Sequence, residues 1–292
     1  MGDSLRSPVV AIDGGGTRCR LALDDGKSVI AAEAGPANVS TDFDGALDEV
    51  FAGLQRLAAR AGLTLDALST IPAYVGLAGV TGEAISERLR TALPFTRVRI
   101  EDDRAAALRG ALGRSDGVIA HCGTGSFFAA QTDGTMRFAG GWGPVLGDEA
   151  SAHFVGKAAL GMALKSIDGR CAASPLAERL LADCEGAAGI VRFAGLASPS
   201  ELGALAPLVT EFAKQGDLLG EEVLRSGARD IAAMLSLIGW SNGQPICLTG
   251  GIGPHYAPYL PSDMQADLTP PVDEPLAGAL SLAAEFALEM PS

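Results

Sequence analysis

The 292-residue chain is acidic, with a net charge of −13, and 48% of its residues are apolar. That charge argues against unspecific nucleic-acid or anionic-membrane binding, so neither is expected as a partner. It leaves open a small phosphate-bearing ligand, because backbone N–H groups can build an anion site without basic side chains. The length suggests two domains. The 38 glycines and 5% aromatic content point to an α/β protein with many tight turns. Cys19, Cys122, Cys171, Cys184 and Cys247 are scattered, odd in number and without a C-x-x-C pair. They read as free thiols, and the expected compartment is cytoplasmic. No apolar run approaches the roughly 18 residues of a membrane span, and residues 1–8 lack the apolar stretch of a signal peptide.

In chain order, the first strand is expected at 9–12, a short apolar run ending in Asp13-Gly14-Gly15-Gly16-Thr17. Strands at 20–23 and 28–33 follow, joined by the hairpin signal Asp25-Gly26. After a loop through Asn38, Thr41 or Asp42 caps a helix to Ala61. Its apolar positions keep the helical period, and Gly62 ends it. A strand at 73–77 comes next, then a helix capped by Thr81 and running to Ala92. A strand at 97–100 leads into Glu101-Asp102-Asp103 and an alanine-rich helix to Leu112.

The second half repeats this plan. A strand at 117–122 ends in Gly123-Thr124-Gly125-Ser126. A strand at 127–131, the Asp133-Gly134 turn and a strand at 135–139 follow. Helices are expected over much of 149–239, with breaks near Gly169, Gly186 and Pro199. A strand at 244–248 ends in Thr249-Gly250-Gly251-Ile252-Gly253. A strand at 264–268 and a helix at 276–288 complete the chain. The shared order of glycine turn, strand and Asp-Gly hairpin implies an internal duplication, with domains at 1–114 and 115–292 and the last helix able to pack back on the first domain. Such a duplication would set the two glycine turns across a cleft.

The residues at the strand ends carry the chemistry. Glycine turns bare successive N–H groups that suit phosphate oxygens, and Thr17, Thr124 and Ser126 add hydroxyls. Asp13 can hold magnesium, directly or through water. Asp103 sits where a strand ends and a helix begins, which is where open α/β sheets place ligands. It reads either as a base for an acceptor hydroxyl or as a helix N-cap. Asp148 and Glu149 are expected to open a helix, as capping residues or as acceptors of ligand hydroxyls. Trp142 reads as a floor for a ring or as core. Asn38 reads as a ligand contact or a turn residue. Gly250 and Gly251 read as a nucleotide contact or a tight βα turn. His121, His153 and His255 show no ligand spacing.

Asp13–Thr17, Gly123–Ser126 and Thr249–Ile252 resemble the two phosphate motifs and the adenosine motif of the actin-like ATPase superfamily. The block from Gly140 to Ser151 is similar to the N-acetylglucosamine kinase branch of the BadF/BadG/BcrA/BcrD ATPase family. The resemblance spans nearly the whole chain in the family's motif order and is weakest over 168–216. It implies two RNase-H-like domains with an interdomain cleft, ATP and Mg2+ as cofactors, and a small sugar as partner, with a homodimer as one arrangement. It assigns Gly14, Gly15, Gly16, Thr17, Gly123, Thr124, Gly125, Ser126, Gly250 and Gly251 to the nucleotide. Asn38, Asp103, Gly141, Trp142 and Asp148 fall to the sugar, and Asp13 to the metal. The family's general base is the aspartate of a strand-end Asn-Asp pair; here Asp103 matches it and Asp102 replaces the asparagine. The expected activity is ATP-dependent phosphorylation of an amino sugar at its C6 hydroxyl. The alternatives are a sugar sensor without catalysis and an ATPase activator of a dehydratase.

Overall fold

The computed structural model describes residues 7–289, and the chain divides into two compact units. The first holds the chain up to Arg114 and takes back residues from Val272 onward; the second is Ser115–Pro271. The second unit therefore ends at 271 rather than at the C-terminus.

In the first unit, β1 (Val9–Gly14), β2 (Cys19–Asp24), β3 (Val29–Ala34), β4 (Ala73–Leu77) and β5 (Val98–Glu101) form a sheet of order β3-β2-β1-β4-β5. β1 runs antiparallel to β2 and parallel to β4. The unbroken apolar run of β1 follows from its central place, where both faces are covered. Helices α1 (Phe43–Ala61), α2 (Leu65–Ser69), α3 (Glu83–Ala92) and α4 (Asp103–Leu112) connect the strands. Asp42 caps α1 by accepting from the Gly45 N–H, and Gly62 ends it in the left-handed conformation. Val10, Ile12, Leu21, Leu54, Leu57, Val75 and Leu77 are fully buried at the core.

The second unit repeats the sheet with one strand fewer. β6 (Gly117–Cys122), β7 (Ser126–Thr132), β8 (Thr135–Gly140) and β9 (Ile246–Thr249) take the order β8-β7-β6-β9. The β7–β8 turn places both Asp133 and Gly134 at positive φ, the conformation that an Asp-Gly hairpin supplies. The helices are α5 (Ala152–Ile167), α6 (Pro175–Asp183), α7 (Ala187–Leu196), α8 (Pro199–Gly203), α9 (Ala206–Lys214), α10 (Leu218–Ile238) and α11 (Ser262–Ala266). A 3₁₀ helix, Gly253–Tyr259, separates β9 from α11. Their core gathers Val118, Ala120, Phe128, Leu160, Val223, Leu235 and Tyr256.

Five local expectations are corrected. Residues 264–268 are not a strand: α11 covers most of them, and only Leu268 makes a parallel bridge to Ile246. That bridge stands beside β9 as β5 stands beside β4. The cap of α3 is Gly82, with no side-chain hydrogen bond, rather than Thr81. The helix after the glycine-rich block starts at Ala152 with Ser151 as cap, so Asp148 and Glu149 lie in the loop before it. The turn after β9 leads into a 3₁₀ helix at Gly253 instead of opening a helix at Gly250. The cap of α4 is Asp102. Helix α2, capped by Thr64, was not expected: five residues are too few to show a period.

Helix α12 (Pro275–Glu289) packs in the first unit, against α4 and β1. The crossing is tight. A Cβ on Gly278 would lie 2.1 Å from the Ala106 carbonyl oxygen, and one on Gly110 would lie 2.5 Å from that of Glu274. Beside it, buried Arg109 pairs with Glu285. This fixes α4, whose first residue is Asp103.

Candidate functional site

In the first unit, the turn between β1 and β2 is held by its carbonyls. Gly15 N–H donates to the Arg18 carbonyl (2.9 Å), Ala37 N–H to Gly15 O (2.9 Å) and Ala78 N–H to Gly14 O (2.8 Å). Gly16, Thr17 and Arg18 stand exposed at the tip.

Asp13 lies on β1 just before the turn, directly opposite Arg20 on β2. The Arg20 Nη2 donates to Asp13 Oδ2 at 2.7 Å, and its Nη1 pairs with Glu274. Burial lifts the Asp13 carboxyl above its ordinary range, while Arg20 and then Arg18 pull it back. Among the described residues, no three His, Cys, Asp or Glu side chains gather as a metal site. A magnesium ion that keeps most of its waters needs only one or two carboxylates. Asp13, with one oxygen on Arg20, fits that mode through its other oxygen or a water.

Asp103 follows β5 as the first residue of α4. Its neighbour Asp102 is shared: its Oδ1 accepts from the Arg104 N–H at 3.0 Å and pairs with Arg104 Nε at 2.5 Å, and its carboxyl also hydrogen-bonds that of Asp103. The Asp103 carboxyl is pushed up to about 8 by burial, then by the charge of Asp102, then by that of Asp13. Asn38 Oδ1 accepts from the Ser40 N–H (3.0 Å) and hydroxyl (2.8 Å). Its oxygen is spent on the turn, so what it offers a ligand is its NH2 group.

In the second unit, the Gly123–Ser126 turn is bolted down from three directions. Gly123 N–H donates to Gly125 O (2.9 Å), and the first residue of α5, Ala152, donates to Gly123 O (2.8 Å). Ile252 N–H donates to Cys122 O (3.1 Å). The turn thus sits at the positive end of α5, where an anion is favoured. Thr124 is exposed. Ser126 is buried, and its hydroxyl donates to the Glu149 carbonyl at 2.5 Å, so its proton is not offered to a ligand.

Asp148 is only 7% exposed and adopts a φ of 61°. Its Oδ1 accepts weakly from the Ser126 N–H (3.4 Å), and the Gly143 N–H also supports its carboxylate. Burial nevertheless raises it above its ordinary range. Its first role is to brace the turn. Ala150 also has a φ of 61° and is held by the Tyr256 hydroxyl, which donates to its carbonyl at 2.8 Å. Two non-glycine residues in the left-handed region mark a loop held in shape by its surroundings. Trp142 is 76% exposed, so it is not core, and Gly141 beside it is exposed too.

Gly250 packs on the same turn. It has a φ of 78°, and a Cβ there would lie 2.3 Å from the Cys122 carbonyl oxygen. Gly251 has open space where a side chain would stand. The tight-turn reading therefore accounts for Gly250, and Gly251 is left facing outward. His121 occupies the β6 position matching Asp13 in β1. It stacks on Phe127, contacts Thr249 Oγ1 through Nδ1 at 3.0 Å, and is held neutral, its pKa pushed down to about 4 by burial.

A groove of about 570 Å³ lies between α5 and α10. Phe154, Ala158, Met162 and Val223 give it apolar walls; Lys157, Lys165 and Ser226 add polar groups. Sequence reasoning missed it. The signal was present in Phe154, Ala158 and Met162, spaced four apart on one face of a helix that begins at the Gly123–Ser126 turn.

Comparison with known proteins agrees with this layout. The profile described as the BadF/BadG/BcrA/BcrD ATPase family matches residues 10–262. Glucosamine kinase GspK of Vibrio cholerae is 28% identical over 281 residues, covering 94% of this chain and 95% of that protein. The N-acetylmuramic acid/N-acetylglucosamine kinase of Clostridium acetobutylicum is 26% identical over 263 residues, covering 83% and 84%. A crystal structure from Chromobacterium violaceum, provisionally described as an N-acetylglucosamine kinase, superposes with a TM-score of 0.82 at 30% identity. It covers 95% of this chain and 98% of its own. Among the described residues no helix is long and apolar enough to cross a membrane.

Proposed function

Because the chain belongs to the BadF/BadG/BcrA/BcrD ATPase family, we propose that it transfers the γ-phosphoryl group of ATP to the C6 hydroxyl of an amino sugar, N-acetylglucosamine or glucosamine. The observation that carries this reading is a buried pair of adjacent acids at the start of α4. Asp102 caps α4 and holds Arg104, while Asp103 sits beside it with its proton affinity raised to about 8. A general base works best when its pKa lies near the working pH. The names of the relatives in Vibrio and Clostridium support an amino sugar as acceptor.

Asp103 accepts the proton of the attacking hydroxyl as the new O–P bond forms and the bond from the γ-phosphorus to the bridging oxygen breaks, with ADP as the leaving group. The Asn38 NH2 group donates to a sugar hydroxyl, and the exposed indole of Trp142 covers an apolar ring face. In the first turn the N–H groups of Gly16 and Thr17 and the Thr17 hydroxyl are offered to phosphate oxygens, and in the second turn those of Thr124 and Gly125 with the Thr124 hydroxyl; the Gly15 and Gly123 N–H groups are spent within their own turns. Asp148 acts on the sugar only through whatever reach its bracing role leaves. The α5–α10 groove takes the adenosine, with Gly251 letting the nucleotide approach the backbone. Asp13 would hold a magnesium ion, directly or through water, and that ion would offset phosphate charge in a largely positional reaction.

The test is ADP release measured with N-acetylglucosamine, glucosamine, N-acetylmuramic acid, glucose and 6-deoxy-N-acetylglucosamine. Turnover with an amino sugar and none with the 6-deoxy compound is expected. Equal turnover with the 6-deoxy compound, or no sugar-stimulated release at all, overturns the reading.

A further inference from the structure

Arg20 is absent from the nucleotide, sugar and metal sets described above, yet it is the residue on which Asp13 depends. Asp13 and Arg20 are cross-strand partners on β1 and β2, so their side chains leave the same face of the sheet. One arm of the guanidinium takes Asp13 and the other takes Glu274. Arg20 is only 15% exposed at its side chain and Asp13 only 12%. Glu274 comes from the segment that re-enters the first unit and precedes α12. The anchor is backbone-fixed: Val272 N–H donates to Ala111 O and Asp273 N–H to Gly110 O, each at 2.9 Å. A planar fork fixes the relative orientation of two carboxylates, whereas a lysine ammonium is a rotatable point charge that does not.

We propose that Arg20 is a positioning residue: it holds the Asp13 carboxylate in one orientation by bracing it against Glu274, and that orientation is what a hydrated divalent cation on the nucleotide requires. This rests on the proposed nucleotide reading. It also opposes simple charge competition. If Arg20 merely competed with the cation for Asp13, removing it would tighten cation binding; if it positions Asp13, removing it weakens binding.

The experiment compares wild type, Arg20→Lys, Arg20→Met and Glu274→Gln by thermal unfolding with ADP, with ADP and Mg2+, and with ADP and EDTA. Mg2+ titrations of turnover run alongside. Wild type should show an additional Mg2+-dependent shift. Arg20→Lys and Arg20→Met should lose most of it while keeping the shift from ADP alone, and half-saturating Mg2+ should rise about tenfold. Glu274→Gln changes a side chain that is 73% exposed, leaves Arg20 on Asp13 alone, and should raise half-saturating Mg2+ two- to threefold. An unchanged Mg2+-dependent shift in both Arg20 variants overturns the proposal, as does tighter Mg2+ binding in Arg20→Met. Should the Arg20 variants fail to fold, an unchanged half-saturation in Glu274→Gln overturns it by itself. A wild type that ADP does not stabilise overturns the nucleotide reading beneath it, a separate result.

Discussion

The two glycine turns share a plan but not a chemistry. The Gly14–Thr17 turn follows a strand that carries a carboxylate, Asp13, at its penultimate position, and the charge of Asp13 helps to keep the proton on Asp103. The Gly123–Ser126 turn follows a strand that places neutral His121 at the matching position, stacked on Phe127. The first turn is exposed at its tip; the second is tied to α5, to Ile252 and to the Asp148 loop. One copy of the duplicated plan thus concentrates titratable groups, and the other concentrates fixed backbone dipoles. That division suits proton transfer and metal holding in the first unit, and phosphate holding in the second.

The largest expected effect strikes the first copy. Asp103→Asn should lower kcat by about 10²–10⁴, the usual worth of a general base, measured as ADP release. It should also stabilise the protein at alkaline pH. Folded Asp103 keeps its proton from 3.8, where an unfolded aspartate loses it, up to about 8. The folded state therefore binds more protons in that interval, and stability falls as pH rises through it. The melting temperature of Asp103→Asn should exceed that of wild type at pH 8 and converge with it below pH 4. A wild-type profile that does not fall with pH relative to the variant would remove the raised carboxyl from the account. The same group predicts kcat/KM rising with pH toward a midpoint near 8, and a profile flat from pH 6 to 9 would count against Asp103 as the base.

The second copy should break through its backbone. Gly250→Ala forces a left-handed alanine into the Cys122 carbonyl, at about 3 kcal/mol by combined strain and overpacking. Gly16→Ala in the first copy meets nothing within 4 Å, and denaturant melts should find it within about 0.5 kcal/mol of wild type. Any effect of Gly16→Ala should fall on nucleotide affinity alone. The smallest effect separates two hydroxyls of one turn. Ser126→Ala loses its bond to Glu149 and should cost about 1 kcal/mol of stability with kcat retained. Thr124→Ala should leave stability unchanged and raise KM for ATP. Reversal of that pair would mean that Ser126, not Thr124, faces the phosphates.

Much of this was legible in the residues. The strand runs, the Asp-Gly hairpins and the three glycine turns are local signals, set by φ preferences and apolar runs within a few residues, so the sheet strands of both halves could be read from them. The expected strand at 264–268 failed because a short apolar run does not separate strand from helix; the chain coils there and leaves one bridge at Leu268. The sequence offers Asp103 as the cap of α4, since an aspartate suits a helix N-terminus, and only the hydrogen bond from the Arg104 N–H places the cap at Asp102.

By itself, then, the sequence determined the duplicated α/β plan, the turns that bare N–H groups, and the acids standing near them, because these depend on short-range conformational preference. Tertiary structure decided which acid is spent on a cap and which is left to titrate, through burial and the charges of Asp102 and Asp13. It decided that Ser126 braces while Thr124 is exposed, and that Trp142 is surface rather than core. It also brought Glu274 to Arg20 across more than 250 residues of chain. Burial, charge and long-range pairing are properties of assembled surfaces, and no local spacing encodes them.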